Sequence, residues 1–273
     1  MVYLAITYSI TLAIALAQPH ASIAPVLAIA APVIAVALTT AFVVPRGQRR
    51  AVWRAVGFRP RRGRGLLRAV LGPMAIIAVS FGVAAALGVV RFPGPGPRLR
   101  HRPAQPGRHD DHLRVVFLGE EIGWRGYLRF RLAELTSGRR AALLTGAFHA
   151  IFHLTLLLLT TTYQNAGNRW IVVPTVMVTL TLAGAWYGWL RLWSGSIWPV
   201  SLSHSAFNSV IEGVAGVPIA TSPETMAYVT TETGVATMII IVLVAGHLLT
   251  RRAADFNEAE PEGARPSTEA SAR

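Results

Sequence analysis

Two adjacent carboxylates and an arginine stand out in a chain that is otherwise largely apolar: Glu120, Glu121 and Arg125. On an α-helix with about 3.6 residues per turn, Glu121 and Arg125 share a face and can pair, whereas Glu120 points about 100° away. An ionisable group in a membrane segment costs roughly 2.5 to 3.5 kcal/mol on insertion scales, and it usually faces a bundle interior or a watery cavity. Glu120 is therefore the candidate for chemistry, and Glu121 with Arg125 is the candidate scaffold.

Two later pairs of polar residues repeat the four-residue spacing. His149 and His153 fall on one face of an apolar helix, and His204 and Asn208 fall on one face of another. Three separate apolar segments therefore each present convergent polar groups. We predict that these groups meet in one buried site.

The elements that position these residues are predicted to be membrane helices. The chain has 273 residues, of which 52% are hydrophobic and only 14% are charged. At about 20 residues per span, the apolar segments are residues 3–17, 23–44, 67–90, 141–160, 171–190, 197–214 and 235–249, and the helix around Glu120 is the eighth. We predict an all-α, multi-pass transmembrane bundle of about eight helices over residues 1–250, followed by a disordered tail, 251–273.

Composition excludes several chemistries. The chain has no cysteine, which rules out disulfides, thiol catalysis and cysteine metal ligands. Every one of its 26 basic residues is arginine, so a lysine Schiff base is ruled out as well. The net charge of +13 does not indicate nucleic-acid binding, because the arginines cluster between apolar spans as topology signals do.

The ordered motifs resemble those of the CAAX-prenyl protease and bacteriocin-processing family of intramembrane proteases, and the type II CAAX endopeptidases within it. The resemblance covers residues 46–252. It implies that Glu120 and His153 activate a water molecule for peptide hydrolysis, and that His204 and Asn208 donate hydrogen bonds to the oxyanion. Glu121 and Arg125 would support the site. His149 is a possible site-lining residue at a position where relatives more often carry an apolar or aromatic side chain.

A metal-dependent alternative stays open at this point. His149 and His153 have the spacing of zinc-binding helices, and Glu120, His153 and His204 form a second possible ligand set. In the zinc-helix motif, however, a glutamate directly follows the first histidine, and here that position is Ala150. We therefore expect a glutamate-activated water with no required cofactor, and no metal ligands, with zinc as the alternative.

The expected function is an intramembrane endopeptidase that acts on a membrane-associated peptide or protein and contacts membrane lipids. Nothing in the sequence identifies the substrate. The main alternative is a non-catalytic protein of the same fold, such as a bacteriocin self-immunity or scaffold factor, in which the polar residues only cross-link helices. A transporter would show paired broken helices in two related halves, which the sequence lacks.

Arginine placement predicts the topology. The loop 46–68 carries nine arginines and is expected on the cytoplasmic side of the cell membrane, which places both termini inside. The segment 91–114 does not fit, because it is predicted outside yet carries six arginines. Three explanations remain: a true outer loop, a reading-frame slip that replaced part of a helix, or a basic, histidine-rich binding loop.

Overall fold

A computed structural model of the chain describes residues 1–21, 23–59, 65–92, 113–161, 167–215, 219–220 and 223–256. As predicted, the protein is an all-α bundle. Its helices are α1 (Val2–Ala17), α2 (Ile23–Ala28), α3 (Ala31–Phe42), α4 (Arg49–Val56), α5 (Leu66–Ala86), α6 (Leu113–Glu121), α7 (Arg129–Ala133), α8 (Gly138–Leu159), α9 (Arg169–Ser194), α10 (Ile197–Ala215), α11 (Pro223–Val229) and α12 (Val235–Arg251). Strands β1 (Val90–Arg91) and β2 (Ile219–Ala220) form a two-residue antiparallel pairing that the sequence did not predict.

A helix stands at each of the eight predicted positions. Within the described ranges, four helical segments are long and apolar enough to cross a membrane, namely Ile23–Phe42, Leu66–Ala86, Gly138–Leu159 and Arg169–Ser194. Helices α1 and α12 are apolar but shorter. Large apolar side chains such as Leu71, Leu158 and Leu243 are exposed on α5, α8 and α12. These exposed surfaces are what a lipid-facing bundle requires.

The predicted continuous helix 23–44 is interrupted near its start. Helix α2 ends at Ala28, and α3 begins at Ala31 with Pro32 in its first turn. Proline has no backbone N–H, so Pro32 cannot donate to the carbonyl of Ala28 four residues earlier. Helix α3 packs against the segment after the two glutamates, through Pro32.

That segment is a π-helix, Ile122–Leu128, inserted between α6 and α7. Here the prediction of one continuing α-helix was wrong. π-Helical turns are wider than α-helical turns and are frequent at functional sites. Gly123 makes room for close packing, because a Cβ there would lie 2.5 Å from the hydroxyl oxygen of Tyr3 and 3.1 Å from the carbonyl carbon of Pro32. Helices α1 and α3 therefore pack directly against this wide turn.

Helices α8 and α9 also approach each other closely, at a pair of glycines. A Cβ on Gly184 would lie 2.6 Å from the carbonyl oxygen of Ala142 and 2.7 Å from the Cα of Gly146. Small residues at such a crossing let helix backbones meet in a membrane bundle. The contact fixes α8, which carries two of the site histidines.

The ordered chain continues past the end of α12. A 3-10 turn, Ala253–Phe256, packs on the bundle: the indole N–H of Trp189 donates to Asp255 at 2.7 Å, and Phe256 is buried. Of the tail predicted to be disordered, 251–273, the residues up to Phe256 are therefore helix or turn, and Asp255 and Phe256 hold this turn against the bundle. Residues 257–273 and the unusual segment 93–112 lie outside the described residues.

Candidate active site

Three helices bring the predicted polar residues together. Glu120 and Glu121 occupy the last turn of α6, Arg125 follows in the π-helix, His149 and His153 lie in the middle of α8, and His204 lies in α10. Five of these side chains are buried: Glu120, Glu121, Arg125, His149 and His204. The side chain of His153 is partly buried. Buried charges of this kind must be paired to be tolerated.

Glu121 is the centre of one group of contacts. Its Oε1 accepts a hydrogen bond from Nη1 of Arg125 at 2.9 Å and another from Nδ1 of His204 at 2.8 Å. The predicted pair between Glu121 and Arg125 is therefore present, and it also reaches the third motif. Because an ionised carboxylate only accepts, the Nδ1 of His204 carries a proton.

Glu120 is the centre of the second group. Its Oε2 lies 2.8 Å from Nε2 of His149, and the same Nε2 lies 3.2 Å from Nε2 of His153. The Nδ1 of His149 lies 3.3 Å from Nη1 of Arg125. A single guanidinium nitrogen therefore joins the two groups, since Nη1 contacts both Glu121 and His149.

Aromatic rings enclose the two groups. Trp124 lies 5.2 Å from the ring of His149, and Phe117 lies 4.6 Å from the ring of His204, measured between centroids. The guanidinium of Arg125 sits 4.7 Å from the ring centroid of Tyr187 in a cation–π contact. Apolar walls of this kind exclude bulk water and strengthen the electrostatic interactions inside.

The spacing of one cluster fits a metal ion. Ligand atoms of Glu120, His149 and His153 all lie within 4.8 Å of one another. Two of the distances between these atoms, 2.8 and 3.2 Å, are close to the distance of about 3.3 Å that separates two ligand atoms in a tetrahedral zinc site. The hydrogen bonding of His149 does not fit. Metal-binding histidines donate their other ring N–H to an acceptor, but Nδ1 of His149 faces the guanidinium of Arg125, which can only donate.

The second predicted ligand set consists of Glu120, His153 and His204. His204 is directed to Glu121 through Nδ1, and it is not part of the cluster that has metal-ligand spacing in the described chain. Neither set therefore satisfies both the spacing and the hydrogen bonding of a zinc site.

Asn208 and His149 are the two remaining predicted residues. Asn208 lies one turn after His204 on α10 and is partly buried, and the hydrogen bonds described for the site do not include it. His149, treated as a possible lining residue, instead contacts Glu120, Arg125 and His153 together. In the sequence, the four-residue spacing between His149 and His153 indicates this contact. The family resemblance does not, because relatives more often have an apolar or aromatic residue at position 149.

Comparison with known proteins agrees with this geometry. Residues 113–210 match the family model described as type II CAAX prenyl endopeptidase Rce1-like. The match begins at the first residue of α6 and ends within α10, so it contains every residue of both groups and Asn208. It confirms the family resemblance that the motifs predicted. Over these residues the chain is therefore similar to proteins of the CAAX-protease class.

The similarity to the Rce1-like model covers about a third of the chain, residues 113–210. The helices that flank it, α1 to α5 and α11 to α12, complete the bundle around the site. No curated protein matches the chain.

Proposed function

We propose that this protein is an intramembrane endopeptidase that hydrolyses a peptide bond of a membrane-associated protein, using water activated by Glu120 and His153. The observation that carries the proposal is the buried cluster of Glu120, His149 and His153 at the meeting point of α6 and α8. The Rce1-like match over the same residues supports it.

Peptide hydrolysis needs a base for the water, donors for the oxyanion and a proton for the leaving amine. A carboxylate oxygen of Glu120 and a ring nitrogen of His153 lie within 4.8 Å of each other, so one water molecule at 2.6 to 3.2 Å from each can bridge them. Glu120 takes the proton as the water oxygen attacks the carbonyl carbon. The proton then passes to the nitrogen of the leaving amine. General-base catalysis of this kind contributes about 10² to 10⁴ in rate.

His204 and Asn208 are the proposed oxyanion donors. The Nδ1 proton of His204 is held by Glu121, so its Nε2 donates only when the ring is doubly protonated. Asn208, one turn further on α10, would supply the second donor.

We propose that the reaction requires no metal. The support is the contact between Arg125 and the Nδ1 of His149, which leaves the proton of that imidazole on Nε2 and so removes one of the three ligands. Titration of the purified protein with zinc against a chromophoric chelator tests this point. We expect no stoichiometric binding at the site, and zinc bound in a manner lost in His149→Gln would contradict it.

The substrate we propose is a peptide segment held at the membrane, as the family's prenylated CAAX substrates are. We place the protein in the cell membrane with both termini cytoplasmic and with lipids around its apolar faces. The arginine-rich loop 46–68 supports this orientation.

The proposed activity is tested by comparing new protein N-termini in membranes of cells that express the wild-type chain or Glu120→Gln. We expect a set of N-termini that requires Glu120. Glu134→Gln is the control, because it makes the same substitution in a carboxylate that lies on the exposed surface, paired with Arg131. If Glu120→Gln produces the same N-termini, or complements a deletion strain fully, the non-catalytic scaffold or self-immunity role replaces the protease.

A further inference from the structure

We propose that His149 is a positioning residue of this site, fixed by Arg125 as its Nε2–H tautomer so that it donates a hydrogen bond to Glu120 and orients that carboxylate toward the water shared with His153. The inference rests on the proposed peptidase function. It assigns a role to a position where the family resemblance implied none.

The tautomer follows from the contacts of His149. Arginine is always protonated and has no acceptor, so the Nδ1 of His149, 3.3 Å from Nη1 of Arg125, must accept. A neutral imidazole has one donor and one acceptor. The ring proton therefore lies on Nε2.

That proton has a near acceptor, the Oε2 of Glu120, at 2.8 Å. The Nε2 of His153 lies 3.2 Å from the same nitrogen. Because two N–H groups would repel each other at this distance, the Nε2 of His153 is unprotonated, and its lone pair can accept a hydrogen bond from the shared water. The N–H of His149 thus orients Glu120 and determines which ring nitrogen of His153 is unprotonated.

The ring of His149 is held in place on both sides. Its centroid lies 5.2 Å from that of Trp124 and 6.1 Å from that of Phe152, and its side chain is almost fully buried. Rotation of the imidazole would break the contact with Arg125 and leave the Nη1 of Arg125 with Glu121 alone. His149 therefore links the structural pair to the carboxylate that we propose as the base.

Three substitutions separate donation from packing. His149→Gln keeps an N–H at the distal position and can still donate to Glu120, whereas His149→Phe keeps the ring and removes the donor. His149→Asn places its amide nearer the backbone, on the side of Arg125. Each is assayed with quenched peptides that span the cleavage sites found by the comparison of N-termini.

We expect His149→Gln to retain kcat within about threefold of wild type. His149→Phe and His149→Asn should lower kcat by on the order of tenfold or more with little change in KM, since a hydrogen bond to a charged group is lost. A packing role would give the opposite order, with Phe at least as active as Gln. That order, or wild-type kcat in His149→Phe, would overturn the inference.

A second measurement needs no substrate. In wild-type protein labelled with ¹⁵N-histidine and held in detergent micelles, long-range proton–nitrogen correlation spectra report which ring nitrogen is protonated, and the resonances absent from His149→Gln identify His149. We expect the neutral Nε2–H form, and a neutral Nδ1–H form or a doubly protonated ring would refute the inference. Cleavage that survives in Glu120→Gln would instead refute the proposed function and leave the tautomer result standing.

Discussion

Replacing Glu121 by glutamine should destabilise the protein far more than the same change at Glu134. The two carboxylates form ion pairs of similar length: Glu121 with Arg125 at 2.9 Å, and Glu134 with Arg131 at 2.8 Å. The side chains of the first pair are 0% and 1% exposed, and those of the second are 50% and 40% exposed. Glutamine keeps the shape and one acceptor oxygen at position 121, so the change removes mainly the negative charge.

The expected sizes follow from this difference in burial. Leaving the charge of Arg125 buried without its partner should cost about 3 to 5 kcal/mol. An exposed pair contributes only about 0 to 1 kcal/mol. For a chain of this length, the first loss corresponds to a melting temperature lower by roughly 10 °C, and the second to a change of a few degrees at most.

The measurement is thermal unfolding of each purified variant in the same detergent. The single variant Arg125→Met and the double variant Glu121→Gln/Arg125→Met complete a thermodynamic cycle, because methionine removes the buried charge and keeps an unbranched side chain. We expect the double variant to be more stable than Glu121→Gln alone. Equal melting temperatures for Glu121→Gln and Glu134→Gln would show that Glu121 is not a buried, charged partner of Arg125.

Three further outcomes are expected. Gly184→Ala should lower the melting temperature strongly, because the added Cβ would meet the backbone of α8. Gly82→Ala has open space around its Cβ and should be neutral or stabilising. Equal effects of the two substitutions would contradict the close crossing of α8 and α9. His204→Asn should keep most of the folded protein, since its amide can replace the Nδ1 donor, yet lose cleavage, and full activity would exclude the oxyanion role. Reporter fusions in loop 46–68 and in the tail 251–273 should both report a cytoplasmic location, and opposite sides would refute the eight-span topology.

The sequence predicted the helices and the pairings that depend only on helical spacing. Apolar segments of about 20 residues have few alternatives to a helix in a membrane. The pair of Glu121 with Arg125 and the neighbouring histidines of α8 follow from a separation of four residues. The meeting of α6, α8 and α10 was inferred because three separate motifs each needed polar partners.

The wide turn after Glu121 and the central place of His149 depended on tertiary contacts. Periodicity assigned an α-helix to residues 122–128, but packing of Tyr3 and Pro32 against Gly123 accompanies a π-helix there. The contact between Arg125 and His149 joins residues 24 apart in the chain. No local pattern reports such a contact, so His149 looked like a lining residue.

The role of Glu120 is tested most directly by cleavage with purified protein in liposomes. The probes are the quenched peptides that span the cleavage sites found in membranes. Glu120→Gln should melt close to wild type and lose at least about 10²-fold in kcat, the contribution of a general base. Wild-type rates in a folded Glu120→Gln protein would contradict the account.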